Sequence, residues 1–255
     1  MHKIVTGLGY TLAKMMFELV FLICICFLKG LFGNQTNEEN GNLMQCIELP
    51  SPRKHTEFES IFRSARRRPK RLPRAVMFKT DIGLSEKLVN ELGGTIRAYN
   101  WVNQVIKIAK KHFQHRSLKT KVYIKVMEKR IYPDSNPSLH QLIEKYRKNA
   151  RYPLGFFAAD NRENHYIGTA ERESACTPKH SAYIVEKVYN DPKYAAGTLA
   201  HEIGHVIGMY HNSDRGCQPG NTVMSKLAID VEGWTKCNNE EFRFYYMIWG
   251  YNCLY

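Results

Sequence analysis

The 255-residue sequence lacks a hydrophobic run long enough to span a bilayer comfortably, and it contains no internal repeat or low-complexity block. The apolar run Leu19–Leu28 is ten residues long and is bounded by Glu18 and Lys29, whereas a membrane-spanning helix needs about 20 apolar residues. No nucleic-acid-binding module surrounds the densest basic run, which lies between Lys107 and Lys121. These absences disfavour a repeat protein, a comfortable membrane span and a nucleic-acid partner.

The composition is that of a globular protein, because hydrophobic residues make up 44% of the chain. The length allows one domain of ordinary size with appended segments. The formal net charge is +13. A cation of this size favours acidic partners such as sulfated glycans or anionic membranes, but secreted proteins without such partners also carry it. We interpret the densest basic run as a solvated helix face.

The N-terminal region predicts entry into the secretory route. Lys3 and Lys14 precede the apolar run, and the small residues Gly30 and Gly33 follow it. This is the pattern of a signal peptide, which we assign to residues 1–33. The alternative is an uncleaved signal anchor on a surface protein. We expect a secreted, extracellular protein.

Residues 34–71 are polar and basic and contain three prolines, which indicates a pro-segment and linker. Within them, Arg68–Arg71 matches the Arg-x-Lys-Arg pattern of a secretory processing site, although basic clusters are often only solvated charge. We therefore place the main domain at residues 72–255. Cys46 in the pro-segment is the odd cysteine of the predicted precursor once Cys24 and Cys26 leave with the leader.

The main domain alternates strands and helices, which predicts an α/β or α+β fold with a mixed sheet. The predicted strands are Ala75–Asp81, which ends near a turn at Gly83, then Lys121–Met127 and the buried strand Gly155–Ala159. The predicted helices run from Ser85 to Phe113 with a break at Gly93–Gly94, from Ser138 to Lys148, and from Asp191 to Gly208.

The strongest pattern is His201-Glu202-Ile203-Gly204-His205, followed by Gly208 and His211. Histidines four apart on a helix differ by about 40° around its axis, so both imidazoles can reach one metal ion. Gly208 breaks the helix, and His211 arrives as a third ligand from outside it. Three protein ligands leave one coordination position open, as in catalytic zinc sites. Glu202 is placed to act there as a general base on water.

The alternative to a metal site is a helix whose histidines are only packed or solvated. It is disfavoured by Met224, which lies thirteen residues beyond His211, where the long form of the motif places a methionine-bearing turn. A methionine on its own is usually core filler.

The motif resembles that of metzincin zinc endopeptidases, and its surroundings resemble the reprolysin (adamalysin) branch of that group. The similar segments are Ile167–Ala170 with Cys176 and Ser181–Glu186 before the motif, and Gly233–Cys237 with Asn252–Leu254 after it. One position departs from the family pattern. Asn212 stands where the family usually carries Asp, so a hydrogen bond can be kept but a charge is lost.

The resemblance implies a metzincin-type domain with a mixed, mostly parallel twisted sheet, long helices and a small C-terminal subdomain. It implies one catalytic zinc held by His201, His205 and His211, with calcium left open. A protein or peptide substrate would lie extended against the edge strand at Gly168, Thr169 and Ala170. The chain ends soon after the catalytic region, and it resembles short arthropod salivary or venom metalloproteases. We therefore expect a monomer acting on extracellular matrix or clotting proteins.

Four cysteines remain in the main domain, and their spacing does not fit a zinc finger. An even number in a secreted domain predicts two disulfides, for which counting leaves three pairings open. The family resemblance selects Cys176 with Cys253 and Cys217 with Cys237. It also suggests Cys46 as a switch residue whose thiolate blocks the metal in the precursor, against the alternative of an unpaired or intermolecular cysteine.

Two other function classes were weighed. The first is a catalytically silent binding protein on a protease scaffold, which is disfavoured because the three histidines and Glu202 are all present. The second is a signal-anchored surface protein with a structural zinc, which a three-ligand site disfavours.

Overall fold

The computed structural model describes residues 45–49, 72–134, 136–159, 166–217, 220–226, 231–249 and 252–254. All of them lie in one unit that spans residues 43–255. The predicted signal peptide and the processing sequence Arg68–Arg71 fall outside the described residues. Within the described part, no helix is long and apolar enough to cross a membrane.

In the part of the chain that the structure describes, six strands form a single sheet. They are β1 (Gln45–Leu49), β2 (Ala75–Ser85), β3 (Lys121–Tyr132), β4 (Leu154–Ala159), β5 (Tyr166–Glu171) and β6 (Ala182–Lys187). Their order across the sheet is β1-β5-β6-β4-β2-β3. Every pairing is parallel except that of β5 with β6, which is antiparallel. The predicted mixed, mostly parallel sheet is therefore confirmed.

Five helices accompany the sheet in the described residues. They are α1 (Glu86–Glu91), α2 (Thr95–Gln114), α3 (Leu139–Tyr146), α4 (Pro192–Val206) and α5 (Lys236–Trp249). Side-chain oxygens of Ser85, Ser138 and Asp191 accept backbone N–H groups at the starts of α1, α3 and α4. These caps satisfy donors that the first turn of a helix leaves free, which explains why the helices begin there.

The sheet is covered on both faces, and β4 shows this most clearly. Phe157 and Ala159 lie in the large core that contains buried residues of α2 and α4, whereas Leu154, Phe156 and Ala158 lie in a second cluster with residues of α3. A strand buried on both faces has no polar side to alternate with, so its sequence is a continuous apolar run.

The predicted turn at Gly83 is wrong, because β2 continues through this residue to Ser85. A Cβ atom at Gly83 would lie 2.7 Å from the Tyr132 ring and 2.9 Å from the Phe156 ring. The glycine is required here by the close approach of two aromatic side chains within the sheet and not by a change of chain direction.

Two disulfides join distant parts of the domain. Cys176 is bonded to Cys253, 77 residues away, and Cys217 is bonded to Cys237, 20 residues away. These are the pairings that the family resemblance implies. The first ties the last described residues back to the loop after β5, and the second closes the region that follows α4.

We expect removal of the Cys176–Cys253 bridge by paired serine substitution to lower the free energy of unfolding more than removal of the Cys217–Cys237 bridge. Chain-entropy arguments give about 4.5 kcal/mol for the longer loop and about 3.3 kcal/mol for the shorter one. Urea denaturation of the two double variants measures the difference. Free thiols in the purified chain, or the opposite order of stabilities, would contradict the prediction.

Candidate metal centre and catalytic cleft

The metal-binding pattern lies on α4, which is buried along most of its length. His201, Glu202 and His205 have no exposed surface. The helix can be buried this completely because several of its residues are small, which allows neighbouring elements to approach closely. Such burial positions the histidines rigidly, since their rings have no room to change rotamer.

Helix α4 ends at Val206, and the chain leaves the helical path at Gly208, which has φ +99°. The Gly208 N–H donates to the His205 carbonyl at 2.9 Å, and the Met209 N–H donates to the Gly204 carbonyl at 2.8 Å. This pair of bonds is the Schellman arrangement, which requires a residue with positive φ at the position of Gly208. A Cβ there would also lie 2.5 Å from the Tyr245 ring. The chain can then turn and bring His211 back toward the helix.

The three predicted histidines converge. The Nε2 atoms of His201, His205 and His211 are 2.9, 3.0 and 3.2 Å apart, and this trio is the group that could hold a metal ion among the described residues. Zinc–imidazole bonds of about 2.0–2.1 Å place tetrahedral ligand nitrogens about 3.3–3.4 Å apart. The observed spacing fits a zinc ion with a small outward movement of the rings.

The hydrogen-bond partners of the Nδ1 atoms also indicate a metal site. His201 Nδ1 lies 2.6 Å from the Val223 carbonyl and His205 Nδ1 lies 2.8 Å from the Met209 carbonyl. A carbonyl oxygen can only accept a hydrogen bond, so each Nδ1–H is the donor and each Nε2 of the neutral ring presents a lone pair. Lone pairs that face one another at about 3 Å repel unless a cation lies between them, which makes this tautomer pattern a metal-binding one.

The third ring is oriented by a carboxylate. His211 Nδ1 lies 3.3 Å from Asp214 Oδ2, and the other oxygen of Asp214 lies 3.3 Å from Lys226 Nζ. Asp214 is not among the residues predicted for the site, although a carboxylate three residues after the last histidine of the motif is a recognisable signal. The two carbonyl acceptors carried no signal at all, because any residue has a carbonyl group.

Burial keeps the imidazoles of His201 and His205 neutral. It lowers the pKa of His201 to about 3, with the neighbouring His211 as a second cause. It also lowers the pKa of His205 well below its usual value, and both neighbouring histidines contribute. Neutral imidazole is the form that binds metals, so the site does not have to lose protons before it can take an ion near neutral pH.

Met224 lies beneath the helix where the sequence predicts it. A Cβ atom at Gly204 would lie 2.5 Å from Met224 Sδ, so this glycine lets the methionine pack directly against the helix backbone. The Asn212 N–H donates to the Met224 carbonyl at 3.1 Å. The methionine turn is thereby attached to the segment that carries His211.

Asn212 retains an anchoring role although it replaces the usual Asp. Its Nδ2 donates to Thr222 Oγ1 at 2.6 Å, and its Oδ1 accepts from Thr235 Oγ1 at 3.1 Å and from Asn238 Nδ2 at 3.2 Å. The side chain is buried, and a neutral amide avoids the cost of burying a charge there. Hydrogen bonds therefore supply the connection between the third histidine, the methionine turn and α5.

A polar cluster fixes the end of α4 to the segment that follows β5. The Glu173 N–H donates to the His205 carbonyl at 3.0 Å, and the Tyr210 hydroxyl donates to Glu173 Oε1 at 2.6 Å. Tyr245 Oη lies 2.7 Å from Tyr210 Oη, and the Arg172 guanidinium lies 3.9 Å from the centre of the Tyr210 ring. Glu173 has φ +59°, an uncommon conformation that these contacts hold in place. The sequence analysis did not single out these residues.

The Glu202 carboxylate faces β5. A Cβ atom at Gly168 would lie 2.4 Å from Glu202 Oε1 and 2.7 Å from Thr198 Cγ2. Gly168, Thr169 and Ala170, the predicted substrate strand, pair with β6 on one side. On the other side, β1 covers β5, with Cys46 opposite Gly168. The carboxylate, the strand and the backbone of Cys46 therefore lie at one place in the fold.

We expect Gly168→Ala to reduce the activity of the site by about tenfold or more, because the added methyl group must displace the Glu202 carboxylate and displacements of about 1 Å in such sites cost up to about 10²-fold. The measurement is the initial rate of peptide cleavage under saturating zinc. Gly220→Ala is the matched control, since a Cβ atom there meets only Thr222 Cγ2 at 3.7 Å. Equal rates in both variants would remove Gly168 from the account of the site.

Comparison with known proteins agrees with this geometry. A family model described as "Reprolysin (M12B) family zinc metalloprotease" matches residues 95–255. A "Zinc metalloproteinase-disintegrin-like" protein of Cerberus rynchops is 35% identical over 82 residues, which cover 31% of this chain and 13% of that protein. The "Snake venom metalloproteinase fibrolase" of Macrovipera lebetinus is 33% identical over 86 residues, which cover 32% of this chain and 43% of the relative.

A third relative is more distant. The "Snake venom metalloproteinase trimerelysin-2" of Protobothrops flavoviridis is 26% identical over 98 residues, which cover 38% of this chain and 49% of the relative. The chain thus spans less than half the length of each of these relatives. The family model, in contrast, covers more than half of this chain and includes all three histidines, Glu202 and Met224. The chain belongs to the reprolysin (M12B) family of zinc metalloproteases.

Proposed function

We propose that this protein is a secreted zinc endopeptidase that hydrolyses peptide bonds of extracellular proteins, with Glu202 as the general base. The observation that carries the proposal is the convergence of three buried imidazoles, all within 3.2 Å of one another at Nε2, beside a buried carboxylate. Zinc held by these three side chains would supply Lewis acidity, which activates water near neutral pH and polarises a peptide carbonyl.

The protein's own contribution to the reaction is proton transfer. Glu202 follows His201 directly on α4, so its carboxylate is positioned by the same rigid helix that positions two of the metal ligands. Glu202 takes a proton from the attacking water and later delivers it to the departing amine of the cleaved peptide bond. Water attack without proton removal would produce a positively charged oxygen, and expulsion of an unprotonated amine would be slow. One carboxylate removes both difficulties.

The substrate is held by backbone hydrogen bonds to β5. Among the described residues of the main domain this strand pairs with β6 on one side only, so its other side has N–H and C=O groups to offer to an extended peptide. Such bonds are nearly independent of substrate sequence. Specificity therefore depends on the side chains that form the walls of the cleft. We infer that the protein acts as a monomer on extracellular matrix or clotting proteins. The relatives named as snake venom metalloproteinases support the extracellular location.

Cys46 is part of the same proposal, as the residue that keeps the precursor inactive. In the described structure β1 pairs with β5 along the side that a substrate needs, and the register sets Cys46 opposite Gly168. Gly168 in turn adjoins the Glu202 carboxylate. A thiolate is a good zinc ligand and needs no partner from outside the chain. Cleavage at Arg68–Arg71 separates this segment from the main domain.

We expect Cys46→Ser to make the unprocessed precursor active, while the unaltered precursor stays latent until it is cleaved after Arg71. Rates of peptide cleavage are compared for both precursors with Arg71→Ala present to prevent processing. If both precursors are equally latent, pairing of β1 with β5 blocks the cleft sterically and the thiol has no role.

The proposed function is tested by cleavage of a generic protein substrate before and after metal removal. Casein should be cut, the activity should disappear with a strong zinc chelator, and added zinc should restore it. A serine-protease inhibitor provides the control and should have no effect. Activity that persists without metal, or the absence of cleavage by a zinc-loaded processed chain, would refute the proposal and favour the binding-protein alternative.

A further inference from the structure

A second cleft lies far from the metal centre in the sheet. It has a volume of about 800 Å³ and lies between β2, β3 and the C-terminal end of α3. These two strands are at the opposite side of the sheet from β5. The cleft size falls within the range of ligand-binding sites in proteins. Nothing in the proposed proteolytic mechanism uses it.

The lining of this cleft is strongly basic. Arg130, Lys145, Arg147, Lys148 and Arg151 contribute five cations, whereas Asp81 and Glu128 contribute two carboxylates. Two of the cations are engaged already. Arg130 Nε lies 2.6 Å from Glu128 Oε1, and Lys145 Nζ lies 2.9 Å from Asp134 Oδ1.

Lys148 and Arg151 differ from these two cations because they are exposed and form no ion pair within the described part of the chain. They stand at the rim of the cleft with charge that is not neutralised by a neighbour. Basic residues in such positions attract anions from solution, most strongly at low salt.

Arg147 is the unusual member of the group. Its side chain is only 4% exposed, which is rare for a charged residue. The Nε–H donates to the Pro178 carbonyl at 3.2 Å, but Nη1 lies 3.9 Å from Asp81 Oδ2, beyond hydrogen-bond distance. Nη2 is buried and has no hydrogen-bond acceptor among the described residues. A buried guanidinium nitrogen without an acceptor destabilises the folded state, unless a bound ligand supplies the acceptor.

A structural ion pair between Arg147 and Asp81 does not account for the arrangement. Burial raises the pKa of the Asp81 carboxyl, although Arg147 acts in the opposite direction, and burial lowers the pKa of the Arg147 guanidinium. In a well-formed ion pair each charge stabilises the other, so the pKa of Asp81 would fall and the pKa of Arg147 would rise. The pair is therefore incompletely compensated, and an additional anion would complete it.

We propose that this cleft binds a tetrahedral oxyanion, a sulfate or phosphate group, with the Arg147 guanidinium as the donor at its floor and Lys148 and Arg151 as cations at its rim. A guanidinium presents paired N–H donors that match such oxyanions. The group has two sources, which are a sulfate ester on an acidic glycan and free inorganic phosphate. The arrangement of cations at the rim around a donor at the floor favours the glycan over free phosphate. A glycan that carries several sulfates can place one at the floor and another at the rim. The site would hold the protein on acidic polysaccharide without obstructing the peptide-binding strand.

Calorimetric titration of the full chain tests the proposal, in a Glu202→Gln background that prevents self-cleavage. The probes are a heparin-derived tetrasaccharide, the same tetrasaccharide without sulfate, and sodium phosphate. We expect the sulfated sugar to bind and its desulfated form not to bind. Binding of phosphate alone would retain the oxyanion site and identify the free ion as its ligand. Binding of neither anion would overturn the proposal.

Variants locate the binding. Arg147→Gln should weaken it by about tenfold or more, since a charge-assisted hydrogen bond is lost. Lys148→Gln with Arg151→Gln should weaken binding of the sulfated sugar by about threefold or more. The matched control is Lys110→Gln with Lys111→Gln, which removes the same charge from the exposed face of α2. If Arg147→Gln does not fold, the rim and control variants still decide the matter. Equal weakening by both would show that only net charge matters and would overturn the proposal.

Discussion

Glu202→Gln should abolish peptide-bond hydrolysis and leave zinc binding unchanged. The substitution keeps the size of the side chain and all three metal ligands, so only the proton acceptor is lost. A general base contributes about 10²- to 10⁴-fold to the rate, and we expect a loss in that range or larger. The measurements are the rate of cleavage of a peptide substrate and the zinc content of the same preparation.

Glu91→Gln is the matched control for this experiment, because Glu91 is exposed at the end of α1. It should have the activity of the unaltered protein. Glu202 is completely buried, and replacing a buried carboxylate by an amide removes the cost of burying a charge. We therefore expect the variant to unfold at the same temperature or above. A variant that loses zinc together with activity would show that Glu202 is a ligand and not a base.

His211→Ala should weaken zinc binding by more than about 100-fold, since two ligands on α4 remain and the third is lost. This loss of zinc affinity should be larger than the loss caused by Asp214→Asn. Removing a residue that hydrogen-bonds to a metal ligand lowers metal affinity by about 10- to 100-fold. Competition with a chromogenic chelator measures both affinities. His140→Ala is the matched control, as His140 lies exposed on α3.

Full zinc affinity in His211→Ala would mean that the third ligand has been assigned to the wrong residue. An Asp214→Asn effect equal to that of His211→Ala would also be informative, since it would make the His211–Asp214 contact a condition for metal binding and not a refinement of it.

The three metal ligands could be predicted from the sequence because their arrangement depends on residues that are close together in the chain. The spacing of His201 and His205 specifies one face of a helix, and Gly208 specifies where that helix ends. The structure brings His211 to them as expected, at 3.0 and 3.2 Å between Nε2 atoms. Helix starts at Ser85 and Asp191 were predictable for the same reason, since a cap acts within one turn.

Other parts of the site depend on contacts between residues that are distant in the chain. Gly168 looks like an ordinary residue of a strand until the fold brings Glu202 against it. Gly83 suggests a turn in the sequence, because the sequence alone does not show that two aromatic rings occupy the space where a Cβ atom would lie. The carbonyls of Val223 and Met209 orient two ligands but leave no trace in residue type.

Strand β1 was also not predicted. Residues 45–49 are too few to show a periodic pattern, and they lie in a polar segment whose composition indicates a linker. Their pairing is determined by the unpaired side of β5, which is more than 100 residues away in the chain. An open strand edge attracts any extended segment that reaches it. The same property is expected to serve inhibition in the precursor and substrate binding in the processed chain.

X-ray absorption at the zinc edge of the processed protein tests the central claim most directly, because it reports the number and type of atoms around the metal. We predict one zinc ion per chain with three imidazole nitrogens and one oxygen from solvent, and with no sulfur. A chain that binds no zinc, or a zinc ion with sulfur ligands or fewer than three imidazoles, would contradict the assignment of His201, His205 and His211 as a catalytic metal site.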